Sequence, residues 1–100
     1  MPNPVSDFPW EKINITGSGI AHTGPCVLHS IIFNGMTVVG DCAIWDGVAA
    51  AGTLIGTLIL RIAVQVSCQP FTMIYDCEME DGIFLSFNNG LVGDFTVTFK

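Results

Sequence analysis

Apolar and polar residues alternate along much of this chain. From 54 to 68 the even positions are Leu54, Gly56, Leu58, Leu60, Ile62, Val64, Val66 and Cys68, all apolar or small. The polar residues Thr53, Thr57, Arg61, Gln65 and Ser67 all fall at odd positions. A period of two predicts a strand with one face on a core. "PFTMIYDCEME" alternates too: Phe71, Met73, Tyr75, Cys77 and Met79 share one face, and Thr72, Asp76, Glu78 and Glu80 the other, with Ile74 as the exception. "EKINIT" aligns Ile13 with Ile15, "IFLSF" aligns Ile83, Leu85 and Phe87, and "DFTVTFK" aligns Phe95, Val97 and Phe99. "CVLHSIIFN" and "VGDCAIWDG" are shorter apolar runs, closed by the turn pairs Asn34-Gly35 and Asp46-Gly47. Asp81-Gly82 and Asn88-Asn89-Gly90 are further turn signals, and "AHTG" is expected to be a loop that carries His22. The pattern predicts an all-β, single-domain antiparallel β-sandwich, jelly-roll-like, of about seven or eight strands over residues 11–100. No segment predicts a helix; "GVAAAG" is too short and too Gly-flanked.

Val48 to Val66 is nineteen residues with one charge, Arg61, and contains the spaced pair Gly52 and Gly56. Hydropathy alone would allow a membrane helix at the short limit for a span. The alternation argues against it, because a spanning helix has no reason to place Thr, Arg, Gln and Ser on every second residue. Residues 1–10 hold Pro2, Pro4 and Pro9 and are expected to form an extended arm, with Phe8 and Trp10 as anchors on a neighbour or, for Trp10, on the edge of its own sandwich.

Composition narrows the function. Half of the residues are hydrophobic and 12% are charged, so part of the surface is expected to be covered by a partner or by copies of the chain. Three Lys and Arg against nine Asp and Glu give a net charge of −6, which disfavours nucleic acid and anionic membrane surfaces. "MPNPVSDFPWEK" lacks the basic and apolar regions of a signal peptide, so secretion by that route is not expected.

Candidate chemistry is sparse. Cys26, Cys42, Cys68 and Cys77 have wide, irregular gaps and no C-x-x-C, so buried reduced thiols are expected ahead of a disulfide or a zinc site. Cys26 and His29 are three apart on a strand and point to opposite faces, which does not make a nucleophile and its base. Asp76, Glu78, Glu80 and Asp81 form the densest acidic set; a solvated strand edge explains it more simply than calcium binding. No phosphate loop, G-x-S-x-G or H-E-x-x-H occurs. No enzyme and no cofactor is expected.

The segments "GPCVLHSIIFNG", "AIWDGVAAAGTLIGTL" and "MIYDCEMEDGIFLSFNNGLVGDFTVTFK" resemble small β-sandwich virion proteins of tailed bacteriophages. The shared positions are Gly24 and Asn34, Trp45-Asp46, Ala51-Gly52, a closing hairpin with Asp76, Met79 and Gly82-Ile83, and a last strand with Asp94, Thr96, Val97 and Phe99. The resemblance covers roughly residues 24–100. It departs at Trp45, Met79 and Ile83, where Tyr, Phe and Leu are usual, and in the very apolar stretch 59–70. It implies a structural role in the virion. The first expectation is a capsid decoration, or cement, protein bound to the major capsid protein and to copies of itself, often as a homotrimer. Phe8, Trp10, Trp45, Ile55 and Ile59 are its candidate interface residues. The second expectation is a head-fibre or tail-associated module that binds carbohydrate or a host surface, with Trp10, Trp45 and Tyr75 as candidates and Asp46 beside Trp45.

Overall fold

The computed structural model describes residues 10–59 and 70–100. Eight strands appear in order: β1 (Glu11–Ile15), β2 (Gly19–Thr23), β3 (Cys26–Val38), β4 (Asp41–Asp46), β5 (Thr53–Ile59), β6 (Phe71–Met79), β7 (Gly82–Asn88) and β8 (Val92–Phe99). They form two antiparallel four-stranded sheets, β1-β8-β3-β6 and β2-β7-β4-β5. This is the jelly-roll order, and the chain is a single-domain β-sandwich as the alternation predicts. No helix among the described residues is long and apolar enough to cross a membrane. Phe8, Cys68, Arg61 and the predicted continuation of the strand from 60 to 68 lie outside the described residues.

The inward faces supply the core. Leu28, Ile31 and Phe33 of β3 stand opposite Phe99, Val97 and Phe95 of β8, and all are buried. Cys42 and Ile44 of β4 stand opposite Phe87 and Leu85 of β7 on the other sheet, and Phe87 meets Phe95 edge-on across the core at 5.3 Å. Each large apolar side chain buried this way contributes about 1.5–3 kcal/mol.

Four expectations change. His22 is not in a loop: it belongs to β2 and packs against the Phe99 ring at 4.9 Å. Asn34-Gly35 does not close a strand, because β3 continues to Val38 through register shifts between Phe33 and Gly35 and between Met36 and Val38. The segment around Asp81-Gly82 is not a hairpin, since β6 pairs with β3 and β7 pairs with β2 and β4. It is a corner at which the chain leaves one sheet for the other. Gly82 is required there: its φ is +145°, and a Cβ would lie 2.5 Å from the His22 carbonyl oxygen. Finally, Leu54 does not face the core. A shift between Ile44 and Trp45 sets Gly56 opposite Ile44 and Leu54 opposite Trp45, so Leu54 turns outward and Ile55 is the extra residue.

Candidate functional site

The two outer faces of the sandwich differ in chemistry. On the β2-β7-β4-β5 sheet, register aligns Ile20, Phe84, Trp45 and Leu54 in one row across all four strands. Ile20 is 46% exposed and Leu54 48%, with Phe84 and Trp45 partly buried between them. The next row holds Ser86, Ala43 and Thr57, and the one after it Asn88, Asp41 and Ile59. Asp41 is the one charged residue in these rows; it is buried and accepts a hydrogen bond from the Asn89 amide at 2.5 Å. This face therefore carries one apolar row beside two rows of mostly small or polar residues, and is nearly free of exposed charge. The Trp45 indole N–H is enclosed without an acceptor among the described residues, so packing alone holds the ring.

The outer face of β1-β8-β3-β6 carries a polar cluster. Asn14 stands opposite Thr96, and Asp94 opposite Gly35. The Asn14 amide donates to Asp94 Oδ1 at 2.5 Å and to the Phe95 carbonyl at 3.1 Å. The Asn34 amide donates to the same Asp94 oxygen and to Thr96 Oγ1, both at 3.0 Å. These amides, Asn34 first, hold the Asp94 carboxyl below its usual range.

Near the start of β1 the register shifts again. β6 spends one more residue than β3 between the Leu28–Cys77 and Ser30–Ile74 pairs, and Asp76 adopts a φ of +48°. This places the Asp76 carboxylate against His29 Nδ1, which donates to it. Trp10 stacks flat on the His29 ring, 4.0 Å between centroids and 8° from parallel. Trp10 thus packs on its own sandwich, over the interior strand β3. Sequence reasoning kept His29 as a strand residue but had no signal for the bulge that pairs it with Asp76.

Ile55 packs against the core and is partly buried, whereas Ile59 is 52% exposed at the end of β5. Phe71 and Met73 share the face the alternation gives them, opposite Phe33 and Ile31, yet both remain exposed because β6 is an edge strand. Ile74, the exception to the alternation, is exposed as well. The expected interface residues are therefore not one cluster: Trp45 lies in the apolar row, Ile59 near the β5 edge, and Trp10 on the other sheet. Ile20, Phe84 and Leu54 were missed, because only register shows that they line up with Trp45.

The described cysteines pack as apolar groups. Cys26 and Cys42 are buried, Cys77 is partly buried, and none is in a disulfide. Burial pushes the Cys42 thiol up to about 12 and raises those of Cys26 and Cys77. Asp46, beside Trp45, accepts the backbone N–H groups of Glu80 at 2.9 Å and Asp81 at 2.8 Å, which lowers its carboxyl and fixes the β6–β7 corner. No group of three or more His, Cys, Asp or Glu among the described residues is placed to hold a metal ion.

No protein-family model matches the chain, and no curated protein or solved structure matches it.

Proposed function

We propose that the chain is a structural virion protein that docks on the outside of a tailed-phage capsid through its β2-β7-β4-β5 sheet and stabilises contacts between capsid subunits. The observation that carries this reading is the apolar row Ile20–Phe84–Trp45–Leu54 on a face with almost no exposed charge, in a chain of net charge −6. Such a face gains most from a broad, dry contact. A partner that binds only the assembled shell then stabilises that shell by mass action, with no chemistry needed. The resemblance of residues 24–100 to small virion proteins points the same way, and jelly rolls recur in viral shells, which is support by analogy only. The exposed Ile59, Phe71, Met73 and Ile74 on the edge strands β5 and β6 suit lateral contact between copies, such as a homotrimer around a local axis of the shell.

The test is cosedimentation with shells from which the chain has been stripped. Wild-type chain is expected to pellet with the shells. The double variant Ile20→Asp/Leu54→Asp changes two exposed positions, so it should keep its circular dichroism and stay in the supernatant. Pelleting of both proteins alike, or of neither, would remove this face from the account.

A further inference from the structure

On the opposite face of the slab, a groove of about 420 Å3 opens at the end of the β1-β8-β3-β6 sheet. Its polar wall is Asp94, Asn34 and Thr16, and its apolar wall includes Met36 and Val92. The bulges of β3 and the bare backbone at Gly35 make the room: a Cβ at Gly35 would meet nothing within 4 Å.

The polar wall is set in advance. Asp94 is a carboxylate and can only accept, so the amide nitrogens of both Asn14 and Asn34 must face it. Each of those amides also donates to a second acceptor, Phe95 O for Asn14 and Thr96 Oγ1 for Asn34. Both donors of each amide are thereby spent. What remains on the groove wall without a protein hydrogen bond among the described residues is the acceptors Asp94 Oδ2 and Asn34 Oδ1, together with the Thr16 hydroxyl, which can donate or accept. Acceptors outnumber donors on this wall, so it favours a ligand that brings hydroxyl groups able to donate to Asp94, and hydrogen bonds to an ionised carboxylate are the strong kind.

We propose that this groove binds a neutral saccharide, with ring hydroxyls donating to the acceptors around Asp94 and a C–H face resting on Met36 and Val92. A sugar ring has both surfaces side by side, as the groove does, and the groove has the size of a small-molecule site. A cation matches less well. It would meet one solvent-exposed carboxylate that already accepts two amides, and such pairs are worth little. Trp10, Trp45 and Tyr75, the aromatic residues expected to bind carbohydrate, play no part.

The inference does not rest on shell docking. A chain that binds sugar but no shell would keep it and lose the other reading. In a docked chain the groove would point away from the shell.

The experiment is an NMR titration of the 15N-labelled full chain, read at the side-chain amides of Asn14 and Asn34 and the backbone amides of Gly35 and Gly93. The probes are glucose, galactose, mannose and N-acetylglucosamine, each to about 100 mM, enough to reveal a Kd on the order of 1 mM. N-acetyl-arginine amide and calcium chloride form separate arms. At least one sugar is expected to give saturable shifts at these four residues. Asp94→Asn keeps the size of the side chain but replaces an acceptor by a donor, and is expected to weaken binding at least tenfold with the rest of the spectrum unchanged. Absence of sugar-induced shifts in the wild-type chain overturns the inference. So do shifts caused by the arginine or calcium probe instead, or equal sugar affinity in Asp94→Asn.

Discussion

Asp46 shows how one side chain can organise a corner. Its carboxylate accepts two backbone N–H groups from the turn that carries the chain between sheets. These donors favour the ionised form and lower its pKa in the folded state, so its contribution is present above the ordinary carboxylate range and is lost as the pH falls through the lowered value. Asp46→Ala should cost about 1–3 kcal/mol at neutral pH, since hydrogen bonds to a charged acceptor are of that size. Urea denaturation at about pH 7 and about pH 3 checks the sign: wild type should lose more stability on acidification than the variant. The thiols make a second prediction at this scale. With its pKa near 12, Cys42 should resist iodoacetamide in the native chain and react once the chain is denatured, which mass spectrometry of the alkylated protein can follow.

At the scale of elements, the connection between β3 and β4 meets a close approach that only glycine allows. A Cβ on Gly40 would sit 2.5 Å from the Leu91 nitrogen and 2.6 Å from the Asn88 carbonyl oxygen, both backbone atoms that cannot swing aside. Gly40→Ala should therefore destabilise by about 1–3 kcal/mol, measured by thermal or urea unfolding. The elements themselves were largely legible in the sequence. Ile13/Ile15, Ile83/Leu85/Phe87 and Phe95/Val97/Phe99 lie on the faces that alternation predicts, because a strand with one dry side must place its apolar residues two apart. What alternation cannot show is a residue added on one strand only. The bulges at His29–Asp76, at Asn34 and at Ile55 all escaped, and they decide that Trp10 stacks on His29, that Asn34 reaches Asp94, and that Leu54 faces outward. Asp81-Gly82 was legible as a turn, but not as a corner between sheets, since a turn pair carries no information about partners beyond its own two strands. The same limit hid both candidate surfaces, because the apolar row and the Asp94 cluster each join residues from strands far apart in the chain.

At the scale of the whole molecule the two sheets differ: β2-β7-β4-β5 shares one apolar row without exposed charge, whereas β1-β8-β3-β6 carries the Asp94 cluster along with exposed apolar residues such as Ile74 and Val92. The apolar row joins β2, β7, β4 and β5, and the exposed carboxylates among the described residues lie elsewhere, at Glu11, Asp76, Glu78, Glu80 and Asp81. In the proposed docking, a chain of net charge −6 would meet its partner without a charged contact at the centre of this face. It also sets an expectation for the free protein. If copies meet along the β5 and β6 edges, sedimentation velocity should show a concentration-dependent oligomer, and Ile59→Asp/Ile74→Asp should shift it toward monomer without loss of fold. The most direct test of the proposed role is whether this chain is present in virions purified from its source, and at what copy number, by quantitative mass spectrometry against the major capsid protein. The account predicts a ratio approaching one chain per capsid subunit, as a protein that covers the shell requires. Complete absence from the virion would contradict it.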